Sequence, residues 1–246
     1  MKRYLLKLIH RKVPRAIDQE YHEIMMLYST YYQMLDPVLQ EKFRLRLYRL
    51  LNTLAFGSMQ IPVITREMRV VIGSAIIKIT LGLDNYLPTR FTNVIVLPRR
   101  YMYPGYGEPF LGHTDHNTNT IYFSWADVQH GYLVPDDAVN VALHEMAHVL
   151  EAENGFHEIF TNFFDRFDWV RWAELAVQKM DVIRKGNNLF LKNYGGHNMM
   201  EMFAVCVEAF FEQPIAFRTY LPEIYATIVD LLKQDPAFMM EEAGVV

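Results

Sequence analysis

One cysteine, Cys206, stands in 246 residues, which excludes an intramolecular disulfide framework and any multi-cysteine zinc ribbon. Stability must come from packing, and a reducing compartment fits. Long apolar runs are also missing. Arg, Lys, Asp or Glu interrupts every stretch before the roughly 18 residues that a spanning helix needs, so no membrane span is expected. Met1–Ile9 has an apolar flavour, but Lys7, His10, Arg11 and Lys12 arrive before a signal-peptide core could form, and the expected location is cytoplasmic. There are no internal repeats, no low-complexity runs and no recognisable nucleic-acid module, so no direct nucleic-acid binding is expected.

What is present is a chain that can bury a sizeable core: 51% hydrophobic, 14% aromatic and 21% charged. Its length suits one large domain, and two would be cramped. The formal charge of −4 is uneven. Residues 1–50 hold ten Lys or Arg against five Asp or Glu, and the remainder fourteen against twenty-three. The basic segment could touch an anionic surface, but reads as a solvated face.

Apolar spacing predicts helix from Asp18 to Phe56, with Tyr21, Ile24, Met25 and Tyr28 on one face and a break at Asp36-Pro37. Residues 1–56 thus form a helical N-terminal layer. Residues 66–81 are β-branched, yet their length and the spacing of Met68, Ile72, Ala75, Ile76 and Ile79 favour a buried helix. Thr92–Leu97 and Asn119–Ser124 read as strands. Between them, a stretch dense in Gly, Pro, Tyr and His reads as a long loop. Helices are expected at roughly 136–152, 169–185, 199–213 and 217–233, separated by Asn154-Gly155, Gly195-Gly196 and Pro214. Helices, a small sheet, then helices make an α+β chain.

His144-Glu145-Met146-Ala147-His148 matches H-E-x-x-H on one of these helices. Residues four apart lie on one helix face, so both imidazoles can reach one Zn²⁺ at roughly 2.0–2.1 Å. Glu145, about 100° round the helix, can engage a water without joining the ligands. The five letters alone arise in about one shuffled sequence in fifty of this composition, so context matters. Apolar flanks bury the motif, and His, Glu and His on a buried helix need the compensation that a metal supplies. A third ligand must come from elsewhere, with His157, Glu158, Asp165, Asp168, His197, Glu201, Glu208 and Glu212 as candidates. The helix over 199–213 is apolar almost all round, so its carboxylates stand out. Glu201 and Glu208, seven apart, remain tied.

In several ordered blocks the chain resembles the zinc peptidases of the Mlc titration factor A family, whose core is similar to the anthrax lethal factor protease domain. The blocks are NTIYFSWADV, VALHEMAHVLEAENG, YGGHNMMEMFAVCVEAFFEQP and FRTYLPEIYATIVDLLKQDP. They cover most of residues 90–236, with a weaker match to the helical N-terminal part. The resemblance implies a zincin-like metallopeptidase of the gluzincin kind, with a small mixed sheet beside the active-site helix. It makes residues 1–246 one zinc-peptidase domain, with 90–236 as catalytic core. It implies one zinc ion held by His144, His148 and Glu201, Glu145 as general base, and Tyr194 as hydrogen-bond donor to the oxyanion. Glu208 becomes a partner that holds a ligand His or a helix end.

The implied activity is hydrolysis of peptide or protein substrates, aminopeptidase-like. The family's name adds a rival, a regulatory protein that sequesters a transcriptional repressor with little peptidase activity. Departures fall at Glu151, where relatives carry Asp, at Met199-Met200 and Met202 around Glu201, and in the loop bearing His113 and His116, which reads as solvated. Asn119–Ser124 is the expected sheet edge for an extended peptide, with Trp125 anchoring the turn that follows.

Overall fold

The protein is described from a computed structural model at residues 12–103, 105, 107–134, 136–154, 163–187 and 190–245. Helices α1 (Arg15–Tyr28), α2 (Thr30–Met34) and α3 (Pro37–Leu51) open the chain. Helix α1 buries Tyr21, Met25 and Tyr28, one stripe of its face. Asp36 starts α3 by accepting hydrogen bonds from the N–H groups of Val38 and Leu39, with Pro37 pre-set for the first turn. The helical layer ends sooner than its sequence suggests: Phe56 belongs to strand β1 (Ala55–Ser58).

Helix α4 (Arg66–Thr80), expected as a buried helix, is buried from Val70 onward, which explains its β-branched, strand-like content. Its C-terminal carbonyls are met by the Arg46 guanidinium, which donates to Thr80 and Leu83 at 2.8 and 2.7 Å. Strands β2 (Asn93–Leu97), β3 (Gly112–Asp115) and β4 (Thr120–Ser124) complete one sheet in the order β1-β2-β4-β3. The first three in that order run parallel, and β3 is antiparallel to β4. The sheet is small and mixed, as expected.

Two expectations need correcting here. The NTIYFS strand is not the edge: β4 lies between β2 and β3, with Ile121 and Phe123 buried. The edge is β3, inside the stretch that reads as loop, where Gly, His, Thr and Asp carry none of the β-branched apolar signal of a strand. Trp125 does not merely anchor a turn, since it opens helix α5 (Trp125–Leu133), capped by the Ser124 hydroxyl.

Helix α6 (Val141–Asn154) carries the H-E-x-x-H motif, and β3 packs directly on it. Helix α7 (Arg166–Arg184) follows, then a 3₁₀ turn (Asn193–Gly196) and α8 (Met199–Glu212), which packs along α6. The predicted 217–233 helix is two, α9 (Pro214–Tyr220) and α10 (Pro222–Leu232), because Pro222 breaks the run. Helix α11 (Pro236–Glu242) closes the described chain. The whole is α+β and mainly helical. Among the described residues no helix is long and apolar enough to cross a membrane.

Candidate metal centre

The site is built on α6, which is fastened at both ends. Asn140 begins it: its carbonyl accepts from the His144 N–H at 2.9 Å, and its Oδ1 from the Leu143 N–H at 3.1 Å. A Cβ on Gly131 would lie 2.9 Å from the Asn140 Cα, so only glycine allows this approach. At the other end the buried Glu153 carboxylate gathers the N–H groups of Thr89, Arg90 and Phe91 and the Thr89 hydroxyl. The two imidazoles are thereby presented from a fixed rod.

His144 and His148 lie with ring centres 4.7 Å apart and planes nearly perpendicular. Facing them is Glu201, in the first turn of α8, where Asn198 caps the helix by accepting from the Glu201 N–H at 3.0 Å. Glu201 Oε2 is 3.2 Å from His144 Nε2, and Oε1 is 3.6 Å from His148 Nε2. A tetrahedral ion with ligands at roughly 2.0–2.1 Å separates its ligand atoms by about 3.3 Å, so the gap fits such an ion. Glu201 Oε2 is moreover buried without a hydrogen-bond donor, which a cation would remedy. Among the described residues, His144, His148 and Glu201 are the cluster that could hold a metal.

The tie between Glu201 and Glu208 separates in space. Glu208 is buried behind His144, with Oε2 at 3.4 Å from Nδ1, the ring nitrogen turned away from Glu201. The same oxygen takes the Lys192 ammonium at 3.1 Å, and Oε1 accepts from the Asn140 N–H at 3.0 Å. Glu208 is thus placed to orient an imidazole and fix its tautomer.

Burial opposes charge on His144, but the Glu201 and Glu208 carboxylates beside its two ring nitrogens outweigh it and push the imidazolium up to about 10. His148 goes the other way: burial, and the nearby His144, hold it well below the ordinary imidazole range. Burial pushes the Glu145 carboxyl up to about 7, while His144 and a 2.9 Å hydrogen bond donated by the Thr114 hydroxyl pull it down. A cation alongside would lower it further.

These groups floor an open cleft of about 440 Å³. Tyr194, from the 3₁₀ turn, stands on its wall with its ring centre 6.2 Å from that of His144, and burial raises its phenol. On the opposite wall runs β3. A Cβ on Gly112 would lie 2.7 Å from Val141 Cγ2 and 3.0 Å from Glu145 Cγ, so a residue without a side chain lets the strand approach.

The other sequence candidates lie elsewhere. His157 and Glu158 are outside the described residues. Asp165 caps α7, and Asp168 pairs with Lys233 at 2.6 Å. His197 stacks edge-on against Tyr194. Glu212 accepts from the Asn140 side chain at 3.1 Å and is pushed by burial up to about 7. His113 is not in a solvated loop: it is half-buried on β3, stacked on Tyr122 with ring centres 4.5 Å apart, and bonded through Nδ1 to the Tyr101 hydroxyl at 2.7 Å. His116 is exposed, edge-on to Phe91. Sequence reasoning passed over Asn140, Thr114 and Lys192. Only Asn140 carried a signal, an N-cap residue four before the first histidine.

A buried H-E-x-x-H helix facing a carboxylate from a second helix is the arrangement of metal-dependent hydrolases. The sequence profile of the glucose-regulated metallo-peptidase M90 family matches residues 6–233, and the chain belongs to that family. A metal ion is implied with it. The chain is 24% identical over 198 residues to Uncharacterized protein slr2042 of Synechocystis sp., covering 74% of this chain and 72% of that protein. It is 26% identical over 130 residues to Mlc titration factor A of Escherichia coli (strain 55989 / EAEC), covering 50% and 48%; the Shigella flexneri protein of that name matches equally. The match thus spans about half the length of these titration factors.

Proposed function

We propose that the chain is a zincin-type, zinc-dependent peptidase, aminopeptidase-like and cytoplasmic, with His144, His148 and Glu201 as zinc ligands. The observation that carries the reading is the convergence of two Nε2 atoms and one carboxylate at 3.2 and 3.6 Å beside a second, buried carboxyl, that of Glu145. Two imidazoles and a carboxylate suit Zn²⁺ and leave a position open. Every side chain invoked comes from residues 112–208, inside the 90–236 core.

When bound, zinc acidifies a water and polarises a carbonyl. Glu145 takes the proton from the attacking water and returns it to the leaving amine. Thr114 holds one oxygen of that carboxylate and so aims the other. Tyr194 donates its phenolic hydrogen to the oxyanion. Glu208, steadied by Lys192 and the Asn140 N–H, keeps the His144 ring turned toward the ion. The free edge of β3, and not β4, aligns the peptide.

The test is hydrolysis of amino-acid anilides and short peptides by protein of measured zinc content. Turnover that a chelator suppresses and zinc restores is expected. The second reading, sequestration of a transcriptional repressor, rests on the titration-factor name of the relatives. Capture of such a repressor by zinc-loaded protein that hydrolyses nothing would favour it.

A further inference from the structure

The groove beside β3 does not stop at the metal cluster. The Leu111 carbonyl accepts from the Ser124 N–H at 2.7 Å, and the register pairs Gly112 with Phe123 through to Asp115 with Thr120. Hydrogen-bonded pairs alternate along an antiparallel ladder, so His113 and Asp115 turn inward as Leu111 does. Gly112 and Thr114 then offer their N–H and C=O groups to the free side. The face of β3 that carries the Thr114 side chain lies against α6 beside Glu145, so the free edge borders the metal cluster. A peptide seated there has its scissile bond opposite Gly112–Thr114.

Beside Leu111 lies a second cleft, also of about 440 Å³. Leu111, Val139 and Val141 line both, so the two clefts are neighbours. The shared wall is aliphatic, but the far end is charged by Arg99, Arg100, Asp127 and His130. Asp127 is already satisfied, bonded to the Arg100 guanidinium at 2.9 Å and accepting from the Ser124 hydroxyl at 2.5 Å. His130 leans toward Asp137 at 3.9 Å. Arg99 is exposed and has no ion pair among the described residues, which leaves the far end one uncompensated positive charge. Its complement is a carboxylate.

We propose that the two clefts act as one channel that binds an extended peptide carrying an acidic side chain, and that Arg99 selects it. The inference rests on the peptidase reading and names its substrate class.

The experiment uses internally quenched peptides, amidated at the C-terminus so that the side chain is the sole carboxylate tested. Each carries Glu, Gln or Lys two, three or four residues from the scissile bond, on either side. With zinc-loaded protein, Glu at one of these positions should raise kcat/KM about two- to fivefold over Gln, the worth of an exposed ion pair, and Lys should lower it. The side on which Glu acts reports the direction of the bound peptide. Arg99→Glu should reverse the order of the Glu and Lys peptides, each measured relative to the Gln peptide with the same protein. Equal rates for Glu and Lys at every position, or a preference for Glu that survives Arg99→Glu, would overturn the proposal. If none of the peptides is cleaved, the peptidase reading fails, and the channel is judged separately by fluorescence anisotropy of the same labelled peptides on the Glu145→Gln protein. Tighter binding of the Glu peptide, lost in Arg99→Glu, sustains the channel, and equal binding of Glu and Lys peptides removes it.

Discussion

At the scale of single residues, the two carboxyls nearest the imidazoles should separate by their variants. Glu145 lies outside the donor cluster, and glutamine matches its shape but cannot accept a proton. Glu145→Gln should therefore keep its zinc, by metal analysis, while turnover falls about a hundred- to ten-thousand-fold. A Glu145→Gln protein as fast as the parent would falsify the base assignment. Glu201→Ala should do the reverse first, lowering zinc occupancy at a given free zinc concentration. Gly112 tests the spacing between strand and helix. The methyl of Gly112→Ala would sit 2.7 Å from Val141 Cγ2 and 3.0 Å from Glu145 Cγ, so it must displace the carboxylate or the strand. Activity should drop well beyond the roughly 1–3 kcal/mol that overpacking takes from stability. Unchanged activity would mean that β3 yields freely.

At the scale of elements, α6 is held by residues that never touch a metal ligand's donor atom. Asn140 caps the helix and bonds to Glu212 through Nδ2, while its N–H meets Glu208. Asn140→Ala should cost about 0.5–2 kcal/mol through the lost cap, read from the urea midpoint, with the N–H to Glu208 intact. The elements also show what the sequence makes legible. The H-E-x-x-H helix, α4 and the two inner strands announce themselves through apolar period and spacing, which are local. The edge strand does not: its Gly-His-Thr-Asp holds its place through pairing with β4 and contact with α6, which no local pattern records. The site divides along the same line. His144, Glu145 and His148 stand within one turn, whereas the different tasks open to Glu201 and Glu208 depend on which face of an imidazole each meets. Seven residues apart on one stripe, they look alike until α8 is laid against α6. Lys192 reaches Glu208 from a separate segment and leaves no trace in the motif.

At the scale of the molecule, a bound ion would tie α6 to α8, two helices that otherwise meet through apolar packing, the contact of Glu208 with His144 and the buried contacts of Glu208 and Glu212 with Asn140. Because the donor cluster exists only in the folded chain, binding adds to stability: about 2.7 kcal/mol at a free zinc concentration a hundred times Kd. For a chain of this size that is a rise in Tm of roughly 5–11 °C, reversed by a chelator. Protons set how the effect varies with pH. The folded pKa of His144, about 10, lies above its ordinary value of 6.5, so its proton stabilises the metal-free fold fully below pH 6.5 and less and less as pH rises toward 10. Zinc must displace that same proton, so its apparent affinity should climb about tenfold per unit between pH 7.5 and 8.5, above the midpoint of Glu145. Both trends have one sign: the gap in Tm between zinc-loaded and zinc-free protein widens with pH. Scanning calorimetry at fixed free zinc across that interval measures it. A Tm indifferent to chelator at every pH would mean that the three donors converge on nothing, and that the proton on His144 is the permanent occupant of the site.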